Sequence, residues 1–288
     1  MKYEIGSEFE FNYELIMSNE PKDLDDVFKT SEYKLISSGR CGIKQVLLNL
    51  IKLNDEKDEF LLPSYLCPSI VQPFNELNLK IVYYNVNPDL TIDLDDVKSK
   101  LNKKTKAAYF INYFGVSQPT EVISFLSSLK ERKICLIEDI THNFFSKRED
   151  IGDYLICSLR KWGPLPHGGL VIKNKNTWEY DDFYERSNLA LEIGQLRAFG
   201  QQLKYLYVNG LKSEQVKNTY LPILQKMDHA LYSHIEIVPM DELSVNMLQR
   251  MDFENLTKKR RENYKYLYEN LKAIKELTIL IGDIKDVV

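Results

Sequence analysis

Short apolar runs alternate with amphipathic segments over the first 175 residues. The runs are EFLLP (Glu59–Pro63), KIVYYNV (Lys80–Val86), KAAYFIN (Lys106–Asn112), KICLIED (Lys133–Asp139), YLICS (Tyr154–Ser158) and GLVI (Gly169–Ile172). Several lack the polar alternation of a half-exposed strand, which predicts strands buried on both faces. Between them, GIKQVLLNLIKL (Gly42–Leu53), SIVQPFNEL (Ser69–Leu77), LDDVKSKL (Leu94–Leu101) and TEVISFLSSLKER (Thr120–Arg132) carry the spacing of helices. Strand–helix alternation predicts an α/β fold, a mostly parallel sheet covered by helices on both faces. Ligands of such sheets bind beyond the carboxyl ends of the strands.

After residue 175 the pattern changes. Residues 180–236 read as long helices, and DFENLTKKRRENYKYLYENLKAI (Asp252–Ile274) reads as another, after a short connector around VPMDELS. The closing LTILIGDIKDVV reads as one strand and a polar tail. We therefore divide the chain into a large α/β domain, residues 1–236, and the start of a small, incomplete C-terminal domain, residues 237–288.

Composition narrows the function classes. The chain has 288 residues, 44% hydrophobic and 28% charged, which is ordinary for a soluble globular protein. A net charge of −4 offers no nucleic-acid or membrane surface, and the basic cluster Lys258–Arg261 reads as a solvated helix face. No apolar run reaches the roughly 18 residues of a membrane span, and the acidic, interrupted N-terminus does not read as a signal peptide. Cys41, Cys67, Cys135 and Cys157 are widely spaced, which predicts reduced thiols in a cytoplasmic protein without a metal site.

Chemistry collects at the predicted strand ends. Ser37, Ser38 and Gly39 lead into a helix, where backbone N–H groups and the helix dipole suit an anion such as phosphate; the same residues also suit a plain N-cap. PSYLCPS places Tyr65 at the next strand end, where an aromatic can cover a flat ligand or pack on the core's edge. Glu138 and Asp139 end an apolar strand, with His142 three residues on; a buried acid there needs a partner or caps the following turn. Lys161 follows YLICS, and Arg160 beside it would favour loss of the lysine's proton. A phosphate cradle, a flat aromatic, a buried acid and a lysine together suit pyridoxal phosphate: the acid keeps the ring nitrogen protonated and the lysine binds the aldehyde. A lysine snorkelling over Trp162 is the plainer alternative.

In motif order the chain resembles the DegT/StrS-type family of pyridoxal-phosphate enzymes, mostly nucleotide-sugar aminotransferases of fold-type-I, three-layer α/β/α architecture. The resemblance rests on SSGRCGI, LLPSYLCPSIV, TIDLDDVKSKLNKKTKAAYFINYFG, LIEDITHNF, LRKWGPLPHGGLVI and RRENYKYLYENL. It implies that Asp139 partners the pyridine nitrogen, His142 lies near the ring's phenolic oxygen, and Lys161 is the lysine that binds the cofactor. It further implies that Gly39, Arg40 and Cys41 offer the phosphate turn, and that Tyr65 or Cys67 covers the ring. Where relatives carry a phosphate-binding serine five residues before the lysine, this chain has Ile156, and Ser158 is the nearest serine. Relatives commonly have an acid before Gly-Gly, where this chain has PLPH. Retention of Lys161 sets the chain apart from relatives that are dehydratases. The implied activity transfers an amino group, from glutamate, to a nucleotide-linked keto-sugar in a cytoplasmic homodimer serving polysaccharide or amino-sugar synthesis. A degenerate scaffold with a binding or regulatory role is the alternative.

Overall fold

A computed structural model describes residues 8–18, 20–30, 32–52, 56–116, 118–146, 149–174, 188–233 and 235–280. Two short helices, α1 (Tyr13–Ser18) and α2 (Leu24–Phe28), precede β1 (Tyr33–Ile36) and α3 (Gly39–Lys52). The alternation continues through β2 (Glu59–Pro63), α4 (Pro68–Glu76), β3 (Lys80–Tyr84), α5 (Leu94–Lys100), β4 (Thr105–Ile111), α6 (Thr120–Ser128) and β5 (Cys135–Asp139). Next come β6 (Tyr154–Cys157) and β7 (Gly169–Lys173), and then helices α7 (Asn188–Leu206), α8 (Glu214–Ser233), α9 (Glu242–Gln249) and α10 (Phe253–Leu271). The strands form a seven-stranded sheet in the order β1-β7-β6-β5-β4-β2-β3. β2 pairs in parallel with β3 and β4, β4 with β5, and β5 with β6, as the strand–helix alternation predicts.

The chain forms two compact units. The second comprises residues 50–157, 172–177 and 252–288. Its central strand β4 is buried at every position, which explains the unbroken apolar reading of KAAYFI. Ala108 and Phe110 face a core of Leu61, Val97, Val122, Leu126 and Leu136. Tyr109, of opposite parity, sits 6.5 Å from the Phe74 ring, which meets Phe60 edge-on at 5.6 Å. Glu59 starts the buried β2 as an ion, held below the usual carboxylate range by the hydrogen bond from Lys80 (2.6 Å) and then by that from Asn102 (2.6 Å).

The first unit comprises residues 1–49, 158–171 and 178–251. Its β1 is flanked by the segment around Val238: Ser37 N–H donates to the Val238 carbonyl (3.0 Å) and Met240 N–H to that of Leu35 (3.2 Å). Gly200 lets α7 and α8 approach, since a Cβ there would lie 2.9 Å from a Leu224 methyl.

Three local expectations change. The connector around VPMDELS contains α9, whose cap is Asp241: its carboxylate accepts from Ser244 N–H at 2.8 Å. The helix expected over Thr120–Arg132 is α-helical to Ser128 and tightens to a 3₁₀ turn over Leu129–Arg132, closing at Lys133 with φ 54°. Of the expected final strand, residues 277–280 have no regular structure, and the remainder lies outside the described residues.

Candidate active site

Consecutive carboxylates end β5, and strand alternation sends them to opposite faces. Glu138, 1% exposed, accepts from Asn112 Nδ2 (2.6 Å) and from the backbone N–H groups of Ile151 (2.9 Å) and Gly152 (2.7 Å). Gly152 is required there, because a Cβ would meet the Glu138 Cβ at 2.7 Å. Glu138 thus organises a loop. Asp139, also buried, accepts from Thr141 N–H at Oδ1 (2.9 Å) and from the Tyr109 hydroxyl at Oδ2 (2.7 Å). The first bond is the turn cap that the sequence allows. The second comes from the neighbouring strand and is not foreseen. Tyr109 is fully buried, and burial first, then the charge of Asp139, pushes its phenol well above the ordinary range. It is therefore a permanent donor. A carboxylate has about four lone-pair sites, so half remain for a ligand.

The same unit aligns an aromatic group. The His142 ring stacks on Phe114 with centroids 4.4 Å apart and planes at 14°. Tyr113 lies 6.4 Å from His142 and 5.5 Å from Tyr65, and its hydroxyl donates to the Tyr65 carbonyl. Phe114 holds φ 49° and Gly115 φ 81°, two successive left-handed residues that turn the chain sharply after β4. Tyr65 is 56% exposed. Cys67, also exposed, precedes α4 and accepts from the Ser69 hydroxyl at 3.0 Å.

In the first unit, three segments meet at short range. Ser38 caps α3, its hydroxyl accepting from Cys41 N–H at 3.3 Å, so the N-cap reading of Ser-Ser-Gly holds. Gly39 lies against Ser158: a Cβ on Gly39 would sit 3.3 Å from the Ser158 Cβ. The structure thereby brings Ser158 to the Gly39–Arg40–Cys41 turn, while Ile156 is buried in β6. Gly168 and Gly169 close the arrangement, with Gly168 N–H donating to the Ser37 carbonyl (2.9 Å). A Cβ on Gly169 would fall 2.3 Å from the Ser38 carbonyl. The Cys41 thiol donates to the Glu236 carbonyl (3.0 Å) beside the Ser37 and Ser38 hydroxyls; burial raises its pKa despite those contacts, which makes it an inert thiol.

Lys161 ends a 3₁₀ turn, Leu159–Lys161, anchored by Lys161 N–H to the Ser158 carbonyl (3.0 Å) and Trp162 N–H to that of Leu159 (2.9 Å). Leu159 and Trp162 are buried, and Lys161 is exposed. Arg160 does not supply the bare cation that the sequence suggests. Its guanidinium donates to Glu8 (2.7 Å) and reaches Asp228 (3.4 Å), and Arg197, fully buried, contacts the same two carboxylates. Two cations meet two anions, so the local field is largely cancelled. Burial and then Arg197 lower the Arg160 pKa, with Glu8 and Asp228 opposing them.

His167, just before Gly-Gly, replaces the common acid, and an acid reaches it from elsewhere. Its Nδ1 is 2.8 Å from Asp241 Oδ2, and its Nε2 is 3.0 Å from the Ala190 carbonyl. Burial pushes the Asp241 carboxyl up, but His167 and Ser244 outweigh it and leave the pKa below its ordinary value. Among the described residues no cluster of His, Cys, Asp and Glu could hold a metal ion, and no helix is long and apolar enough to cross a membrane.

Sequence reasoning missed Tyr109, Glu8, Arg197, Asp228 and Asp241. Tyr109 alone carried a signal: a polar-tipped aromatic inside a wholly apolar strand must find a partner.

Comparison with known proteins adds a family match over part of the chain. Residues 29–163 match the model of the DegT/DnrJ/EryC1/StrS aminotransferase family. The structure resembles sugar aminotransferase CalS13 from Micromonospora echinospora (TM-score 0.58, 15% identity, covering 97% of this chain and 71% of that one). It also resembles AtS13 from Actinomadura melliaura (0.59, 16%, 94% and 67%) and Spr1654 from Streptococcus pneumoniae in its PLP form (0.61, 12%, 94% and 72%). The chain spans 56 to 72% of the length of the solved structures it resembles. No curated protein matches by sequence. At these identities the structures establish the fold, that of the fold-type-I pyridoxal-phosphate aminotransferases. The family match runs from the approach to β1 through the Lys161 turn.

Proposed function

We propose that the chain is a pyridoxal-phosphate-dependent aminotransferase that moves an amino group from glutamate to a nucleotide-linked keto-sugar. The observation that carries the reading is Asp139: a buried carboxylate at the end of β5, fixed through both oxygens yet with half of its acceptor capacity unspent. In the family's motif it falls at the position of the pyridine-nitrogen partner. The residues also suit the rest of the cofactor. The capped α3 turn at Gly39–Arg40–Cys41, with Ser158 against it, presents polar groups at the positive end of a helix, as a phosphate requires.

When bound, the cofactor supplies an electron-withdrawing ring that stabilises negative charge beside the transferred nitrogen. Asp139 holds a proton on the ring nitrogen, because an ionised carboxylate stabilises the protonated form. Lys161 would hold the aldehyde through Nζ and, as a free amine, would take and return protons as a base. His142, braced on Phe114, would lie near the phenolic oxygen, and Tyr65 or Cys67 would cover the ring face. The division at residue 236, a homodimeric state and a cytoplasmic location complete the reading, with polysaccharide or amino-sugar synthesis as its setting.

Ile156, buried where relatives place a phosphate-binding serine, favours one rival: a fold-type-I scaffold without catalysis. Incubation with pyridoxal phosphate, borohydride reduction and peptide mapping separate the two. The expected adduct lies on Lys161 and vanishes in Lys161→Ala, with the unfolding midpoint unchanged. A folded wild-type chain that gains no visible absorbance would leave the scaffold reading in possession.

A further inference from the structure

Among the described residues Asp139 has two donors, and Tyr109 is the one that comes from the neighbouring strand and not from the turn after β5. β4 and β5 are parallel and in register, with Ala108 opposite Leu136, Tyr109 opposite Ile137 and Ile111 opposite Asp139. The tyrosine therefore starts two residues short of the acid and spans the gap with its ring, the hydroxyl ending 2.7 Å from Oδ2. Its backbone carbonyl is held in turn by the Tyr84 hydroxyl (3.0 Å), and Phe74 flanks the ring. The phenol is thus fixed at both ends. Phenylalanine would fill the same space, so packing alone does not call for the hydroxyl.

We infer that Tyr109 is a positioning residue for cofactor binding: its hydroxyl pins Asp139 Oδ2, fixes the rotation of the carboxylate and directs its remaining lone pairs to the ring nitrogen. This rests on the aminotransferase reading, in which Asp139 meets that nitrogen. A hydrogen bond from a neutral donor to a charged acceptor outweighs an ordinary neutral pair. The donor is also durable, since burial and the neighbouring charge keep the phenol protonated across the working pH range. Thr141 N–H alone, at Oδ1, would leave the carboxylate free to rock about that contact.

The test compares Tyr109→Phe with Tyr84→Phe, which removes a buried tyrosine hydroxyl of the same cluster without touching Asp139. Pyridoxal phosphate labelled with ¹⁵N in the ring is the probe. Its Kd should rise about tenfold in Tyr109→Phe, one charge-assisted hydrogen bond's worth, and stay within about twofold in Tyr84→Phe. The ring ¹⁵N resonance should move toward the unprotonated position in the first variant only. On an Asp139→Asn background, Tyr109→Phe should add nothing further, which a merely structural role would not produce. Equal Kd and ¹⁵N shift in wild type and Tyr109→Phe, with the Lys161 adduct present in both, would overturn this inference alone. Absence of the adduct from the folded wild type would overturn the functional reading and this inference together.

Discussion

The end of β5 and the Lys161 turn are secured in opposite ways. At the end of β5, polar atoms do the fixing: two carboxylates collect five donors from Asn112, Ile151, Gly152, Thr141 and Tyr109. At the Lys161 turn, bare backbone does it. Gly168 and Gly169 let segments approach to distances no side chain permits, Gly39 adds a tight contact to Ser158, and an ion cluster ties Arg160 down beside them. Hydrogen bonds fail by degrees, one donor at a time. A close backbone approach has no intermediate, because a single methyl group forces the segments apart.

The largest effect should come from the turn. Gly169→Ala puts a Cβ 2.3 Å from the Ser38 carbonyl, and we expect a loss of more than about 4 kcal/mol or no soluble protein, read by urea unfolding. A variant within about 1 kcal/mol of wild type would break the contrast. Glu138→Gln should cost about 2–3 kcal/mol in the same assay, because a neutral amide replaces the carboxyl group that accepts from two backbone N–H groups. It should leave Lys161 labelling intact, which separates Glu138 from its neighbour Asp139. The smallest effect belongs to Asp241→Ala, which removes the α9 cap and the acid facing His167, for about 1–2 kcal/mol at neutral pH. The sign in pH follows from the depressed carboxyl: the aspartate stabilises the fold above its unfolded pKa of about 3.9 and loses that contribution as pH falls through its lower folded pKa. The gap between wild type and Asp241→Ala should therefore be full above about pH 5 and narrow toward pH 3.

The elements from β2 to β7 were legible because each is a local pattern: an apolar run bounded by turn residues, or apolar positions at helical spacing. The order of motifs carried the family resemblance through the same stretch. α9 escaped because MDELS reads as polar connector, and only the cap geometry shows that Asp241 begins a helix. Glu138 and Asp139 look equivalent in KICLIED. Their roles part only when β4 and the loop at Gly152 are seen beside them. The Arg197–Glu8 pair, 189 residues apart, leaves no trace in local composition. Tyr109 lies between these cases: the need for a partner was readable, but not that the partner is Asp139.

The buried indole of Trp162, directly after the exposed Lys161, has an optical consequence. The chain has two tryptophans, and this one sits one residue from the amine proposed to carry a coloured group. Its ultraviolet emission overlaps the absorption of such a chromophore, so loading should appear as quenching by resonance energy transfer. The native protein thus carries its own reporter of occupancy, one that needs no dye and can be followed in a stopped-flow trace.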